Sequence, residues 1–250
     1  MGNTDWFRTF DTHVRRVGLG GGVSEKHTED DYVAYLGQWF YVSHWSCTDD
    51  NAHTTVQSVI TEAANRSKPV MWRVYEGDSP ATLEDTLKKS GFKQSSEDTL
   101  LVFDLDQPIP KPRYGVVRVR SEPELDQFLS ILSAAFDEPM NLPAARRKAL
   151  QESSQVLSFF SSNDDGLVAA GQMDITEDQP VVLLRGGCTV PQQRGKGGYA
   201  SMVWSRLTLA REQGKRLAFV EAMPSSRPIL LHLGFEEVCS GKTWTYKHEQ

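Results

Sequence analysis

The residues best suited to chemistry by type and spacing are Arg194-Gly195-Lys196-Gly197-Gly198. They lie between an apolar run (VVLLRGGCTV, 181–190) and an amphipathic one (YASMVWSRLTLAREQ, 199–213). The glycines strip side chains from a segment that enters a helix, and a helix N-terminus leaves about four backbone N–H groups without internal partners. Those donors and the positive end of the helix dipole favour an anion. Arg194 and Lys196 add two cations. The chemistry open to this turn is to cradle a diphosphate. It lacks the Lys-Ser/Thr ending of a P-loop, which weighs against a nucleotide-phosphate protein. Cys188 sits in an apolar strand with no His at motif spacing and reads as packing, not as a nucleophile. Gly-Leu-Gly-Gly-Gly at 18–22 has no apolar strand before it and no amphipathic helix after it, so it reads as a turn.

These residues need a frame. Residues 181–190 read as a buried strand. The helix that follows, about 198–213, turns Met202, Val203, Leu207 and Ala210 inward and ends at Gly214, before a second strand, LAFVEAM. Upstream, Val116–Arg120 is a strand. Ser121-x-x-Glu124 is a capping box with Pro123 in the first turn. Its helix runs to about Phe136, burying Leu125, Phe128, Leu129, Leu132 and Phe136, and a second helix lies near 143–152. Strands 156–162 and 167–175 flank a hairpin turn at Asn163–Gly166. In the first half, the aromatic stretch from Tyr32 to Ser46 reads as strand and core packing. A helix is expected over 52–66, a strand over 69–75, a helix over 80–90 closed by Gly91, and a strand over 100–105. Three prolines in 106–112 stiffen a linker.

Val190-Pro191, then Arg194-Gly195-Lys196-Gly197 opening a helix, resembles the acyl-CoA-binding motif of the GNAT superfamily of N-acetyltransferases. Tyr199 stands where that motif usually has Gly or Ala. Ser225 to Phe235, ending in Gly234-Phe235, is similar to the superfamily's last helix. The resemblance implies an α/β fold: a mixed, mostly antiparallel sheet flanked by helices. Its order over 115–250 would be strand, two helices, three strands, helix, strand, helix, two strands. Residues 70–105 echo 217–246 in order: strand, helix, Gly-Phe, strand. This resembles tandem members with a degenerate N-terminal copy. The expected parts are an extension (1–31), a degenerate copy (32–106), a linker (107–114) and a catalytic domain (115–250).

The resemblance also implies acetyl-CoA as cosubstrate, with no metal. Its pantetheine arm would pair with backbone at Cys188, Thr189 and Val190. Arg194 and the amides of Gly195, Lys196, Gly197, Gly198 and Tyr199 would hold the diphosphate, and Ser226 would touch the pantetheine or cap the last helix. Acyl transfer needs a neutral amine and a proton for the leaving thiolate. Glu221, at a strand end where burial would raise its pKa toward working pH, is the base candidate, with His232 second. Many members carry a Tyr four residues before the final Gly. Leu230 stands there, and Leu87 in the first copy, so Tyr199 becomes the acid candidate although its sequence position is at the diphosphate end. A binder with a decayed active site is the alternative.

Composition bounds the rest. The chain has 250 residues, 39% hydrophobic and 24% charged, with net charge −6. Residues 1–110 hold 10 Lys and Arg against 17 Asp and Glu. Such acidity disfavours nucleic acid and suits a small cationic amine partner. No run approaches a membrane span or a secretory signal. Three cysteines without pairing or metal spacing fit a reducing cytoplasm. A homodimer is compatible with all of this.

Overall fold

The computed structural model describes residues 3–18 and 25–248. In chain order the elements are α1 (Asn3–Phe10), a π-turn (Asp11–Arg15), β1 (Glu25–Thr28), β2 (Tyr32–Leu36), β3 (Phe40–Trp45), α2 (Ala52–Asn65), β4 (Val70–Tyr75), α3 (Leu83–Lys89) and β5 (Lys93–Asp104). Then follow β6 (Val116–Arg118), α4 (Glu122–Phe136), α5 (Ala144–Glu152), β7 (Val156–Asn163), β8 (Gly166–Ile175), β9 (Val181–Thr189), a 3₁₀ turn (Pro191–Gln193), α6 (Gly198–Glu212), β10 (Leu217–Ala222), α7 (Arg227–His232) and β11 (Glu236–Tyr246). Of the glycine run at 18–22 only Gly18 is described; the rest lies outside the described residues.

By packing, the chain divides into two compact units, Met1–Leu101 with Glu221–Gln250, and Val102–Val220. This division differs from one at the 107–114 linker, and the strand order gives the reason. In the first unit the strands run β1-β2-β3-β4-β11-β5, so the last strand inserts among early ones. β11 pairs antiparallel with β4, Tyr246 opposite Val70 and Gly241 opposite Tyr75. β1 also belongs to this sheet, paired with β2, although it falls in the stretch expected to be an extension. α2 makes the crossover between the parallel strands β3 and β4. Its Val56, Val59 and Ala63 join Trp45, Trp72 and Trp244 in the core.

The second unit's order is β10-β9-β8-β7-β6, with β9 and β10 parallel and the others antiparallel. α6 buries Met202, Val203, Leu207 and Ala210 fully, as its spacing predicts. α4 opens with the expected capping box; Glu124 Oε2 accepts the N–H groups of Arg120 (2.8 Å) and Ser121 (2.9 Å).

Several sequence expectations need correction. Phe136, the last residue of α4, is exposed, and Ile131 is buried instead. α3 starts at Leu83, not 80. β5 starts at Lys93, well before the apolar run at 100–105, because its first half is held by backbone pairing and carries exposed polar side chains. A single strand follows α7 where two were expected, since nothing interrupts 236–246.

α3 and α7 end alike. The N–H of Gly91 bonds to Lys88 O and that of Phe92 to Leu87 O; the N–H of Gly234 bonds to Leu231 O and that of Phe235 to Leu230 O. This closure brings the residue after the glycine onto the third residue from the helix end. Leu87 with Phe92, and Leu230 with Phe235, are that apolar pair, all buried. Leu230 is thus a core residue here. Leu230→Ala is expected to destabilise the protein by about 2–5 kcal/mol, read as a lower denaturant midpoint with an unchanged slope.

Candidate functional site

β9 and β10 pair only from Val181–Leu217 to Leu184–Val220. Residues 185–189 stay bonded to β8, Cys188 opposite Ala170 and Thr189 opposite Ala169. Among the described residues, their other edge has no strand partner. The N–H of Val190 bonds to Val168 O at 3.0 Å. Successive residues of a strand turn their backbone groups to opposite edges, so those of Thr189 face the unpaired side. The register shifts between Ala170 and Gln172, leaving Gly186 and Gly187 opposite Gly171 alone. This is a β-bulge, with Gly186 at φ +57°.

Arg206 fills the space beneath the bulge. Its side chain is 2% exposed, and its Nη1 donates to Gln172 O (2.8 Å) and Arg185 O (3.2 Å), its Nε to Met202 O (3.1 Å). A Cβ at Gly171 would lie 2.8 Å from the guanidinium carbon, and one at Gly187 would lie 3.2 Å from Nη2. Both glycines therefore make room for a cation. Among the described residues no carboxylate pairs with it. Burial pulls its pKa down to about 10, which still leaves it charged at neutral pH. A buried charge without a counter-charge costs several kcal/mol, and such groups concentrate at functional sites.

The turn after β9 follows the sequence expectation in conformation. Gly195 and Gly197 have φ of +76° and +86°, and α6 begins at Gly198. Gly198 must be glycine, because a Cβ would lie 2.4 Å from Val168 Cγ1. Among the described residues, the N–H groups of Gly195, Lys196, Gly197 and Gly198 make no well-aligned hydrogen bond, although residues 194–197 form a backbone turn. Gly195, Lys196 and Gly197 are exposed. Arg194 does more than expected. Its Nε donates to Thr189 O (3.4 Å) and its Nη2 to Ala135 O (3.3 Å), tying the turn to β9 and α4.

Two neighbours were missed in the sequence. The N–H groups of Arg113 and Tyr114, at the end of the proline-rich linker, donate to Ser201 Oγ at 2.9 and 3.3 Å. The Tyr114 hydroxyl donates to Lys196 O at 2.9 Å, and Arg113 Cδ lies 4.0 Å from the Cβ position of Gly197. A third cation thus joins the turn.

Tyr199 is half-buried, and its ring edge reaches the bulge: Cε2 is 3.1 Å from the Cβ position of Gly187. Its side chain therefore sits at the bulge, not at the diphosphate end. Cys188 is buried, and burial pushes its thiol up to about 11, in keeping with packing. Thr189 Oγ1 is buried without a hydrogen-bond partner among the described residues, and Val190 is buried. A groove of about 740 Å³ lies in the same unit, lined by Asp126, Ser130, Asp137, Glu138, Met140 and Arg147 among others.

Glu221 and Ser226 belong to the first unit. Glu221 is half-buried and ion-paired: Arg73 Nε lies 2.6 Å from its Oε1, and the Tyr75 hydroxyl donates to the same oxygen. Arg73 also bonds Asp98 (3.0 Å) and Thr243 (3.2 Å). Burial, then the charge of Glu221, pushes the Tyr75 phenol well above its ordinary range, so it stays a donor. Ser226 occupies the N-cap of α7, but it does not cap. At φ −95° and ψ −25° its hydroxyl donates to Met223 O (3.2 Å) instead. His232 ends α7. Among the described residues, His27, Glu29 and Glu62 are the trio whose ligand atoms lie close enough to share a metal.

No family model matches the sequence, and no curated protein matches it either. Solved structures do. A GCN5-related N-acetyltransferase from Kribbella flavida is 18% identical, with 96% of each chain covered and a TM-score of 0.70. One from Sphaerobacter thermophilus is 14% identical over 88% of this chain and 81% of that one (TM-score 0.60). A tandem GNAT protein of the clavulanic acid biosynthesis pathway is 14% identical over 88% and 80% (TM-score 0.59). The chain has the fold of GCN5-related N-acetyltransferases.

Arg206→Met removes an uncompensated buried charge but orphans the carbonyls of Gln172 and Arg185, so the net change in thermal stability is expected to be small while the bulge loosens. Hydrogen exchange at Gly187 and Cys188 should speed up relative to the rest of β9. A large loss of stability with unchanged exchange there would mean that the guanidinium only fills the core.

Proposed function

We propose that this protein is an acetyl-CoA-dependent N-acetyltransferase acting on a primary amine of a small molecule. The observation that carries the reading is the pair of unsatisfied backbone surfaces in one βαβ segment: the unbonded amides of Gly195–Gly198 and the unpaired edge of β9. The amides, with Arg194, Lys196 and Arg113, would hold the diphosphate of acetyl-CoA. Of the Cys188–Val190 stretch, the backbone N–H of Thr189 faces the open edge and would pair with the pantetheine, while Cys188 and Val190 hold that edge to β8. At the bulge, amides of β9 would face a developing oxyanion, with the charge of Arg206 beneath them. The cosubstrate supplies the activated acetyl group; the chain aligns it and moves protons.

Tyr199, at the bulge, is the acid we assign to the leaving thiolate. Glu221 is the base we assign to the amine. It follows Val220, the last β10 residue paired with β9. Its Oε1 is committed to Arg73 and Tyr75, so Oε2 would take the proton. Asp137 and Glu138 in the groove suit an incoming ammonium group. We further assign residues 32–106 to a degenerate copy of the fold. Support comes from the matched order β4-α3-β5 and β10-α7-β11, with the same Leu–Phe closure in each. No described helix is long and apolar enough to cross a membrane. The free thiols of Cys47, Cys188 and Cys239 agree with a cytoplasmic setting.

One observation favours a second reading, an acyl-CoA-binding regulatory or scaffold protein. Leu230 is buried where related enzymes resemble one another in carrying Tyr. A thiol-release assay with acetyl-CoA against a panel of amines separates the two. Turnover is expected, with Tyr199→Phe lowering kcat by about 10²-fold and leaving KM for acetyl-CoA little changed. Tight CoA binding without turnover on any amine would establish the binder instead.

A further inference from the structure

The turn between β1 and β2 is closed by a bond from the N–H of Glu29 to Tyr32 O (3.0 Å). It brings His27 and Glu29 of this hairpin to Glu62, in the last turn of α2. Their ligand atoms all lie within 4.8 Å of one another. His27 Nε2 is 3.1 Å from Glu29 Oε1 and 3.7 Å from Glu62 Oε1. That nitrogen is buried, yet neither contact has the alignment of a hydrogen bond. Tetrahedral zinc, with bonds of about 2.0–2.2 Å, sets its ligand atoms roughly 3.3 Å apart. The 3.1 Å separation of His27 Nε2 and Glu29 Oε1 is close to that value.

The surroundings fit a ligand set. The His27 ring is held between Phe40 (centroids 5.6 Å apart) and Tyr32 (6.0 Å), which fixes its aim. Arg66, one turn beyond Glu62, grips Glu62 Oε1 and leaves Oε2 for an ion. Such an outer partner orients a ligating carboxylate. Tyr32 is itself 3% exposed, so the ring is held by a buried neighbour.

We propose that His27, Glu29 and Glu62 form a zinc site that ties the β1–β2 hairpin to α2. Three protein ligands leave a fourth position for water. The site stands apart from acyl transfer and does not depend on that reading.

The test is zinc titration of the chelator-treated full chain in competition with a chromophoric chelator. One zinc per chain is expected. Binding should vanish in His27→Ala and Glu29→Gln, weaken about 10–100-fold in Arg66→Ala, and persist in His53→Ala. Glu29→Gln is a near-isosteric change in a turn, so it keeps the test decisive if His27→Ala fails to fold, as checked by circular dichroism. No saturable uptake, or equal affinity in wild type and Glu29→Gln, would overturn the site.

Discussion

A helix cannot satisfy its own first amides, and in α6 no side chain does it for them. The N-cap is Gly197, in the left-handed region and without a capping oxygen. The amides of Gly195–Gly198 are left as donors at the positive end of the helix dipole. The rest of the second unit can be understood as what keeps them in place. Gly198 lies against Val168 too closely for any side chain. Ser201 and Lys196 O receive the end of the linker through Arg113 and Tyr114. Arg194 ties the turn back to β9 and α4.

The other half of the site is a strand that has lost a neighbour. β9 leaves β10 after Leu184, and the bulge at Gly186-Gly187 redirects its backbone groups. A bulge leaves carbonyls that a ladder no longer satisfies. Here a buried guanidinium takes that role at Gln172 and Arg185. The arrangement is costly for stability and therefore informative about function. A hydrophobic side chain at position 206 would pack the same helix without desolvating a charge.

Much of this was legible in the sequence, for identifiable reasons. The glycines, the apolar run of β9 and the inward spacing of Met202, Val203, Leu207 and Ala210 are local signals, and the structure follows them. Arg206 was missed, although a signal was present: it sits four residues after Met202 on the same face, where a charge demands an explanation. Other features were not local. The partners of Glu221 are Arg73 and Tyr75, about half the chain away, and the β11–β4 pairing that gathers them has no sequence marker. The first half of β5 is polar and exposed, so hydrophobic periodicity cannot find it. His27, Glu29 and Glu62 meet only because a hairpin packs on α2, and no motif spacing announces them.

The central claim is that free amides at the start of α6 receive a diphosphate. Amide chemical shifts report it directly. On titrating isotope-labelled protein with CoA, the N–H resonances of Gly195, Lys196, Gly197 and Gly198 should move the most and saturate together. Desulfo-CoA should move them equally, and pantetheine, which lacks the diphosphate, should not. Saturable CoA binding that leaves those four resonances in place would contradict the account.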